Sequence, residues 1–390
     1  MISFLFSTLL ALFWIVQGLV HVPSLSRVRP LPFLGDQLDL PKQALSRAGD
    51  AAAVTVILAA RDEEAAIAAT LEALAAQTWP HLKIIALNDR SRDRTGLRMR
   101  EAAAQSARIQ VIDIDVLPEG WLGKNHALTV GAREAEADWL LFTDADVAFS
   151  ADAVARMVGY AEREGLDHLV VSPELIADSF WLRSLIAFFL FNFILAFRPQ
   201  KAINPRSRAF MGLGACNFVR RTAYEAIGTH AAIRLRPDED IRLGQRLKQA
   251  GYRQQFVPAR AFARVRWYDS VAAMANGLEK NTLALFRYSP TWLMLSMIPF
   301  LLIYVVPFVN VLYMRGFSEG MALLALAAMA AVYGATQRFT AYTPALFLVL
   351  PVSATLFAAI LVRAAWLTAR QGGIYWRGTF HSLQELRKMR

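Results

Sequence analysis

With a single cysteine, Cys216, the chain has no intrachain disulfide and no zinc site built on thiolates, and nothing in it argues for an oxidising compartment. Charge is scarce: 19% of residues are charged against 55% hydrophobic. That balance fits neither a wholly soluble enzyme nor a pure channel, so the apolar excess must be localised. Acidic residues are outnumbered, leaving a net charge of +10, yet no RNA-binding aromatic signature or DNA-binding helix pattern goes with it. Nucleic acid is therefore not an expected partner, and the basic excess points to a lipid bilayer and to cytoplasmic loops rich in Lys and Arg. Internal repeats and low-complexity linkers are also missing. The 390 residues leave room for one sizeable globular domain and several membrane spans.

What is present divides sharply. Residues 2–20 form an uncharged run of bilayer-spanning length. No basic residue precedes it and no small-residue cleavage site follows at once, while Arg27, Arg29, Lys42 and Arg47 come just after it. It reads as an uncleaved anchor over 1–21, followed by a basic juxtamembrane linker over 22–50 on the cytoplasmic side. Three apolar stretches close the chain, Trp292–Tyr313, Met321–Gln337 and Pro344–Leu367, so 290–368 is expected to hold two to three membrane helices before a basic tail at 369–390. The middle stretch is short and Ala-rich. If all three cross and the globular domain is cytoplasmic, the basic tail falls outside, against the positive-inside rule. Phe180–Phe197, with seven aromatic residues and Arg183 as its one charge, also has the look of a span. Crossing there would separate the acidic motifs that flank it, so it is expected to lie flat at the interface with its aromatic face in lipid; a core helix is the other reading.

From Val54 onward, short apolar runs alternate with Ala-rich helical stretches. Val54–Ala59, Lys83–Leu87, Ile109–Ile114, Trp139–Thr143 and His168–Ser172 read as buried strands, and Glu63–Ala76, Thr95–Ala104, Asn125–Ala135 and Ala151–Glu164 as helices. Such alternation predicts an α/β domain with a mostly parallel sheet, extending over 51–285, whose ligands bind at the carboxyl ends of strands.

Three acidic groups follow such ends. Asp89 stands just after the run ending at Leu87, ahead of Ser91, Asp93 and Thr95 at a helix start; helix capping accounts for this group alone as well as any site does. Asp144 and Asp146 sit two residues apart after Leu140-Leu141-Phe142-Thr143. Alternate residues of an extended segment point the same way, so both can approach one divalent cation, and a hard ion such as Mg²⁺ takes one or two carboxylates plus substrate phosphates. Asp238-Glu239-Asp240 opens an apolar-periodic helix; it is either a favourable negative charge at a helix N-terminus or the source of a general base.

The stretch Val54–Asp93, the Asp144-Ala145-Asp146 triplet and the Glu239-Asp240 pair, in this order and at these separations, resemble the family-2 glycosyltransferases of the GT-A (nucleotide-diphospho-sugar transferase) fold, over roughly Val54–Asn281. One anchor before the domain and several spans after it further resemble the hopanoid-biosynthesis-associated glycosyltransferases, with ceramide and carotenoid glycosyltransferases as looser relatives. The resemblance implies a multi-pass enzyme of a bacterial-type inner membrane, with a cytoplasmic catalytic domain. It would transfer sugar from a nucleotide-sugar donor, a UDP-sugar, to a membrane lipid acceptor by inverting displacement. It also implies roles. Asp62 and Glu63, in Ala60-Arg61-Asp62-Glu63-Glu64, match the donor-binding end of the first strand, with Asp62 where Asn is usual. Asp89 matches the carboxylate at the uracil base, with Asn88 in place of a commoner Asp; Lys124 matches a basic residue of the donor pocket. Asp144, itself also donor-binding, and Asp146 match the Mg²⁺ or Mn²⁺ site, and Asp240, paired with Glu239, matches the catalytic base. Arg266 and Trp267 match the end of a Gln-x-x-Arg-Trp acceptor-site motif, but Ala263 stands at its Gln, which weakens any case for processive polymer synthesis and leaves open whether Arg264 substitutes. Gly212-Leu213-Gly214 and Cys216-Asn217-Phe218 resemble the segment and strand lining the acceptor cleft. Two rivals predict other features. A transporter would carry polar residues in its spans, where little beyond Asn310 and Gln337 occurs, and a catalytically silent homologue would have lost an acidic motif.

Overall fold

A computed structural model describes residues 2–31, 52–286, 289–340, 342–376 and 379–383. Most of the expected juxtamembrane linker, including Lys42 and Arg47, and the end of the basic tail lie outside the described residues. The chain forms two compact units, one comprising Val28–Leu175 and Ala196–Arg266, the other Met1–Arg27, Ile176–Leu195 and Trp267–Arg390.

The first unit is built on an eight-stranded sheet. Its strands in chain order are β1 (Val54–Ala60), β2 (Leu82–Asp89), β3 (Ile109–Ile114), β4 (Trp139–Thr143), β5 (Ala148–Phe149), β6 (His168–Leu175), β7 (Asn217–Arg220) and β8 (Gln254–Val265), arranged β3-β2-β1-β4-β7-β6-β8-β5. β1 lies parallel to both β2 and β4, and β2 parallel to β3, with helices Ile67–Ala75, Thr95–Gln105 and Gly123–Arg133 as the intervening elements. The continuous apolar runs follow from burial on both faces. Val56 and Leu58 of β1, Ile84 of β2 and Leu141 of β4 enter one core with Leu71 and Leu74, whereas Ile57, Ile85, Leu140 and Phe142 enter the opposite core with Leu128 and Leu247. Each such fully buried side chain contributes about 1.5–3 kcal/mol of transfer free energy.

Beyond β4 the directions mix. β7 runs antiparallel to both β4 and β6, β6 parallel to β8 with a register shift over Ser172–Glu174, and β5 antiparallel to β8. At the junction Trp139 stacks on Phe218 with ring centroids 4.5 Å apart, and the Arg220 guanidinium lies over the Trp139 ring. The expected strands and crossover helices all occur, with β6 extended beyond the expected Ser172; the two-residue β5 is an addition, and so is β8. Its Gln-Gln-Phe-Val-Pro-Ala-Arg-Ala-Phe-Ala-Arg-Val lacks both a continuous apolar run and regular alternation, and Pro258 argues against a strand on local grounds.

The second unit is helical. Five helices of the described residues are long and apolar enough to cross a membrane: Phe4–Ser26, Phe180–Lys201, Pro290–Tyr313, Phe317–Phe339 and Pro344–Gln371. The Ala-rich middle stretch begins earlier than its apolar core suggests, at Phe317, and so reaches spanning length. In the helix Phe180–Phe197, Phe180 and Trp181 are exposed, whereas Phe188 and Phe191 are buried. Phe188 meets Phe300, Tyr304 and Phe357, and the Tyr304 hydroxyl donates to Asn192 Oδ1 at 2.6 Å. The helix Val271–Leu285, which the sequence reading joins to the α/β domain, groups with these helices.

Polar groups in this apolar setting are matched. Pro307 has no N–H to offer the carbonyl of Ile303 one turn back, and that carbonyl accepts the indole N–H of Trp14 at 3.2 Å. Trp14 is fully buried, against Phe191 and Tyr304. Asn310 donates to Ser7 Oγ and Gln337 Oε1 accepts from Thr340, so the two span residues that would speak for an ion path are engaged within the helical unit.

Candidate active site

The carboxyl ends of β1 and β2 are tied together by reciprocal bonds. Asp62 adopts a left-handed backbone (φ 58°), its N–H donates to Ser91 Oγ at 3.2 Å, and its carboxylate accepts from Arg92 N at 2.7 Å. Glu63 N donates to Thr95 Oγ1, while Glu64 both donates through its N–H to Asp93 and accepts from Arg94 N. Asp93 also accepts from the Thr95 hydroxyl and N–H; burial alone would raise its pKa, but these bonds outweigh burial and lower it. The capping groups expected at this helix start thus link two strand-end turns.

Asp89 is buried, with an ion pair to Arg90 at 2.8 Å. A methyl group on Gly123 would stand 2.4 Å from its carboxylate and would push it aside, so a glycine here lets the helix Gly123–Arg133 begin close against Asp89. This close approach brings the next residue, Lys124, to the end of β4. The Lys124 ammonium lies 2.7 Å from Asp144 Oδ1 and 2.8 Å from Glu239 Oε1. Burial would lower its pKa, but Asp144, Glu239 and Asp240 together raise it well above the ordinary lysine value. Lys124, Asp144, Glu239 and Asp240, drawn from three separate stretches of sequence, therefore meet.

The three acids of the Asp238 group part company. Asp238 is the residue before the helix Glu239–Gln249 but makes no side-chain cap; its carboxylate pairs with Arg236 at 2.9 Å and Arg242 at 2.8 Å. Glu239 turns to Lys124. Asp240 accepts from Gly214 N at 2.8 Å and from Ile241 N at 2.7 Å. Burial first, and then the neighbouring charge of Glu239, pushes its pKa up to about 7, with Lys124 acting the other way. Asp240 is thus held in the site and does not serve as the helix cap.

Gly212 and Gly214 explain why this approach is open. A Cβ on Gly212 would stand 1.7 Å from the Asp240 carbonyl oxygen, and one on Gly214 would be 2.7 Å from Asp144 Oδ2. The Gly pair marked at first as cleft-lining therefore packs directly on both acidic motifs. Thr143 Oγ1 donates to Ala215 O at 2.8 Å and anchors the same segment to β4. His230, missed in the sequence, lines the cleft with Lys124, Asn217 and Asp240. Its Nδ1 contacts the Tyr224 hydroxyl at 2.8 Å, and burial, with the Lys124 charge, pushes its pKa down to about 3, leaving it neutral.

Asp146 has a raised pKa, first through desolvation and then through the charge of Asp144. Two hard oxygen ligands in mutual repulsion suit a divalent cation. Among the described residues no three His, Cys, Asp or Glu side chains form a metal cage, so remaining ligands would come from phosphate and water, as Mg²⁺ and its kin accept. Along β8, Ala263 is buried whereas Arg264 and Arg266 are exposed. Strand alternation sets Arg264 on the opposite face from Ala263, where it pairs with Glu174 at 3.5 Å, so it does not occupy the missing Gln position. Trp267 falls in the helical unit, its ring 4.7 Å from that of Phe189.

Residues 55–228 match the model of the glycosyl transferase family 2. Over 213 residues the chain is 27% identical to the 4,4'-diaponeurosporenoate glycosyltransferase of Staphylococcus aureus (strain MRSA252), covering 54% of this chain and 54% of that enzyme. The chain spans about half the length of the curated relatives it matches. Among solved structures, the mannosyltransferase PcManGT from Pyrobaculum calidifontis in complex with GDP-Man and Mn²⁺ aligns with a TM-score of 0.51 at 16% identity, over 94% of this chain and 98% of that one. The α/β unit has the GT-A fold expected from the sequence.

Proposed function

We propose that this chain, carrying a glycosyl transferase family 2 domain over residues 55–228, is a membrane glycosyltransferase that moves a sugar from a nucleotide-diphospho-sugar, a UDP-sugar, to a lipid acceptor. The observation that carries the reading is the meeting of Lys124, Asp144, Glu239 and Asp240 beside the Gly212–Gly214 segment. The nucleotide would lie along the ends of β1 and β2, near Asp62, Glu63 and Asp89, with its diphosphate toward Lys124. Asp144 and Asp146 would hold Mg²⁺ or Mn²⁺, which neutralises charge on the departing diphosphate when bound; the Mn²⁺ reported with PcManGT supports a divalent ion.

The acceptor hydroxyl attacks the anomeric carbon from the face opposite the diphosphate. A new carbon–oxygen bond forms as the bond to the diphosphate breaks, which inverts the configuration. The hydroxyl proton passes to Asp240, whose raised pKa suits a base working near neutrality. A hopanoid-like lipid or another membrane lipid is the acceptor class, supported by the five apolar helices and by the carotenoid-type relative. Basic residues after the first helix favour a cytoplasmic catalytic unit at a bacterial inner membrane, with Arg266 and Trp267 on the acceptor side.

Purified full-length protein in detergent should be offered UDP-sugars with membrane lipid extract, and the products read by mass spectrometry. A sugar-bearing lipid formed by the parent and lost in the Asp144→Ala/Asp146→Ala variant, which should no longer bind donor with metal, supports the reading. No transfer by the parent, or donor binding by calorimetry undiminished in that variant, sinks it.

A further inference from the structure

Behind the Gly212–Gly214 segment lies a buried polar chain that shares only Asn217 with the cleft described above. His168, at the start of β6, is fully buried. One ring nitrogen, Nε2, is 3.2 Å from Asn217 Oδ1, and the other, Nδ1, is 2.7 Å from Gln254 Nε2. An amide oxygen only accepts and an amide NH₂ only donates, so these partners assign the tautomer: Nε2 carries the proton and Nδ1 the lone pair. Burial pushes the pKa of the ring down to about 4, so it stays neutral at physiological pH.

Each partner reaches further. Asn217 Oδ1 also accepts from Leu213 N at 3.2 Å. Gln254 Oε1 accepts from Met211 N at 2.7 Å, and its NH₂ donates a second bond to the carbonyl of Gly244, in the helix that carries Asp240, at 2.9 Å. Met211 and Leu213 are thus fixed from one side, while on the other Gly212 touches the backbone of Asp240 and Gly244 that of Met211. The next N–H along, that of Gly214, is the one that donates to the Asp240 carboxylate. Every member is a polar group in a buried setting, where a missing partner costs more than a bond gains.

We infer that His168 is a positioning residue: through Asn217 and Gln254 it sets the Met211–Gly214 segment so that the Gly214 N–H meets the Asp240 carboxylate. The inference rests on Asp240 being the base for its effect on turnover, but not for its effect on geometry. The two are separable. His168→Leu removes both ring contacts at similar volume, and His168→Gln keeps one donor and one acceptor; should the Leu variant not fold, His168→Asn, polar but too short to reach both partners, takes its place.

Hydrogen exchange at the Gly214 amide, followed by mass spectrometry of peptides covering 209–217, should rise at least tenfold in the Leu or Asn variant and return toward the parent in His168→Gln. Turnover should fall at least tenfold while the donor KM stays within twofold. The acid limb of the kcat profile should move to higher pH, because a carboxylate that loses an N–H donor is protonated more readily. Unchanged Gly214 exchange in a folded Leu or Asn variant, or an unchanged pH profile with a loss of thermal stability alone, overturns the inference. Raised exchange in a protein that transfers no sugar leaves the positioning role standing and removes the functional reading instead.

Discussion

From β3 to β4 each neighbouring pair of strands is parallel, the inner strands β1, β2 and β4 carry apolar residues into both cores, and the glycines of that half press on side chains. From β7 to β5 the strands mix directions, and Gly212 and Gly244 press on backbone. The first half presents the residues assigned to the donor at the ends of successive strands. The second holds Asp240, the proposed base, on a helix, clamped by a segment with little regular structure. On the proposed reading, affinity for the donor and the ability to turn it over would reside in different parts of the sheet, and each could be disturbed separately.

The largest expected effect is in the second half. Asp240→Asn keeps the shape and loses the proton acceptor, so turnover should fall by roughly 10²- to 10⁴-fold with thermal stability and calorimetric donor affinity near the parent. Near-parental turnover here with a large loss in Glu239→Gln would move the base to the residue that faces Lys124. Loss of donor binding together with turnover would erase the division between the halves.

A pair of glycine substitutions sharpens the comparison. In the second half, Gly212→Ala places a methyl 1.7 Å from a backbone oxygen that cannot yield without moving the Asp240 helix, and should cost about 3 kcal/mol together with most of the turnover. In the first half, Gly131→Ala meets the tips of Ile57 and Leu87 at 2.7 and 2.8 Å, side chains that can shift, and should cost about 1 kcal/mol with activity kept. Thermal unfolding in detergent with activity per bound nucleotide separates them; equal losses in both would contradict the contrast.

The smallest effect is in pH. With Asp240 raised to about 7, the base is protonated below that pH, so turnover should rise as pH increases through 7 and fall about tenfold for each unit beneath it. Donor binding, governed by the other half, should stay flat over the same range. A limb near pH 4 would assign the titration to an ordinary exposed carboxylate.

The contrast also decides what could be read without coordinates. β1, β2 and β4 were legible because burial on both faces leaves a mostly apolar run, and Asp144 and Asp146 because a carboxylate pair directly after such a run stands out. Asp240 was legible as a member of an acidic triplet, but its separation from Asp238 and Glu239 depends on which partner each acid takes: Arg236 and Arg242, close in sequence, hold Asp238, and the distant Lys124 holds Glu239. β8 and the His168–Gln254 contact were not legible. Their partners are 86 residues apart, and a glutamine or histidine meant for one buried bond looks in sequence like any surface residue. Lys124 emerged only through the resemblance, since a lysine at a helix start has many ordinary uses.

The bond between the Trp14 indole and the Ile303 carbonyl fixes an order of events during synthesis. The two groups are 289 residues apart in the chain, so the first helix leaves the ribosome long before the proline-freed carbonyl that completes it exists. Through most of translation the indole N–H has no Ile303 to meet, so the first helix gains this partner only once the helix Pro290–Tyr313 has been made.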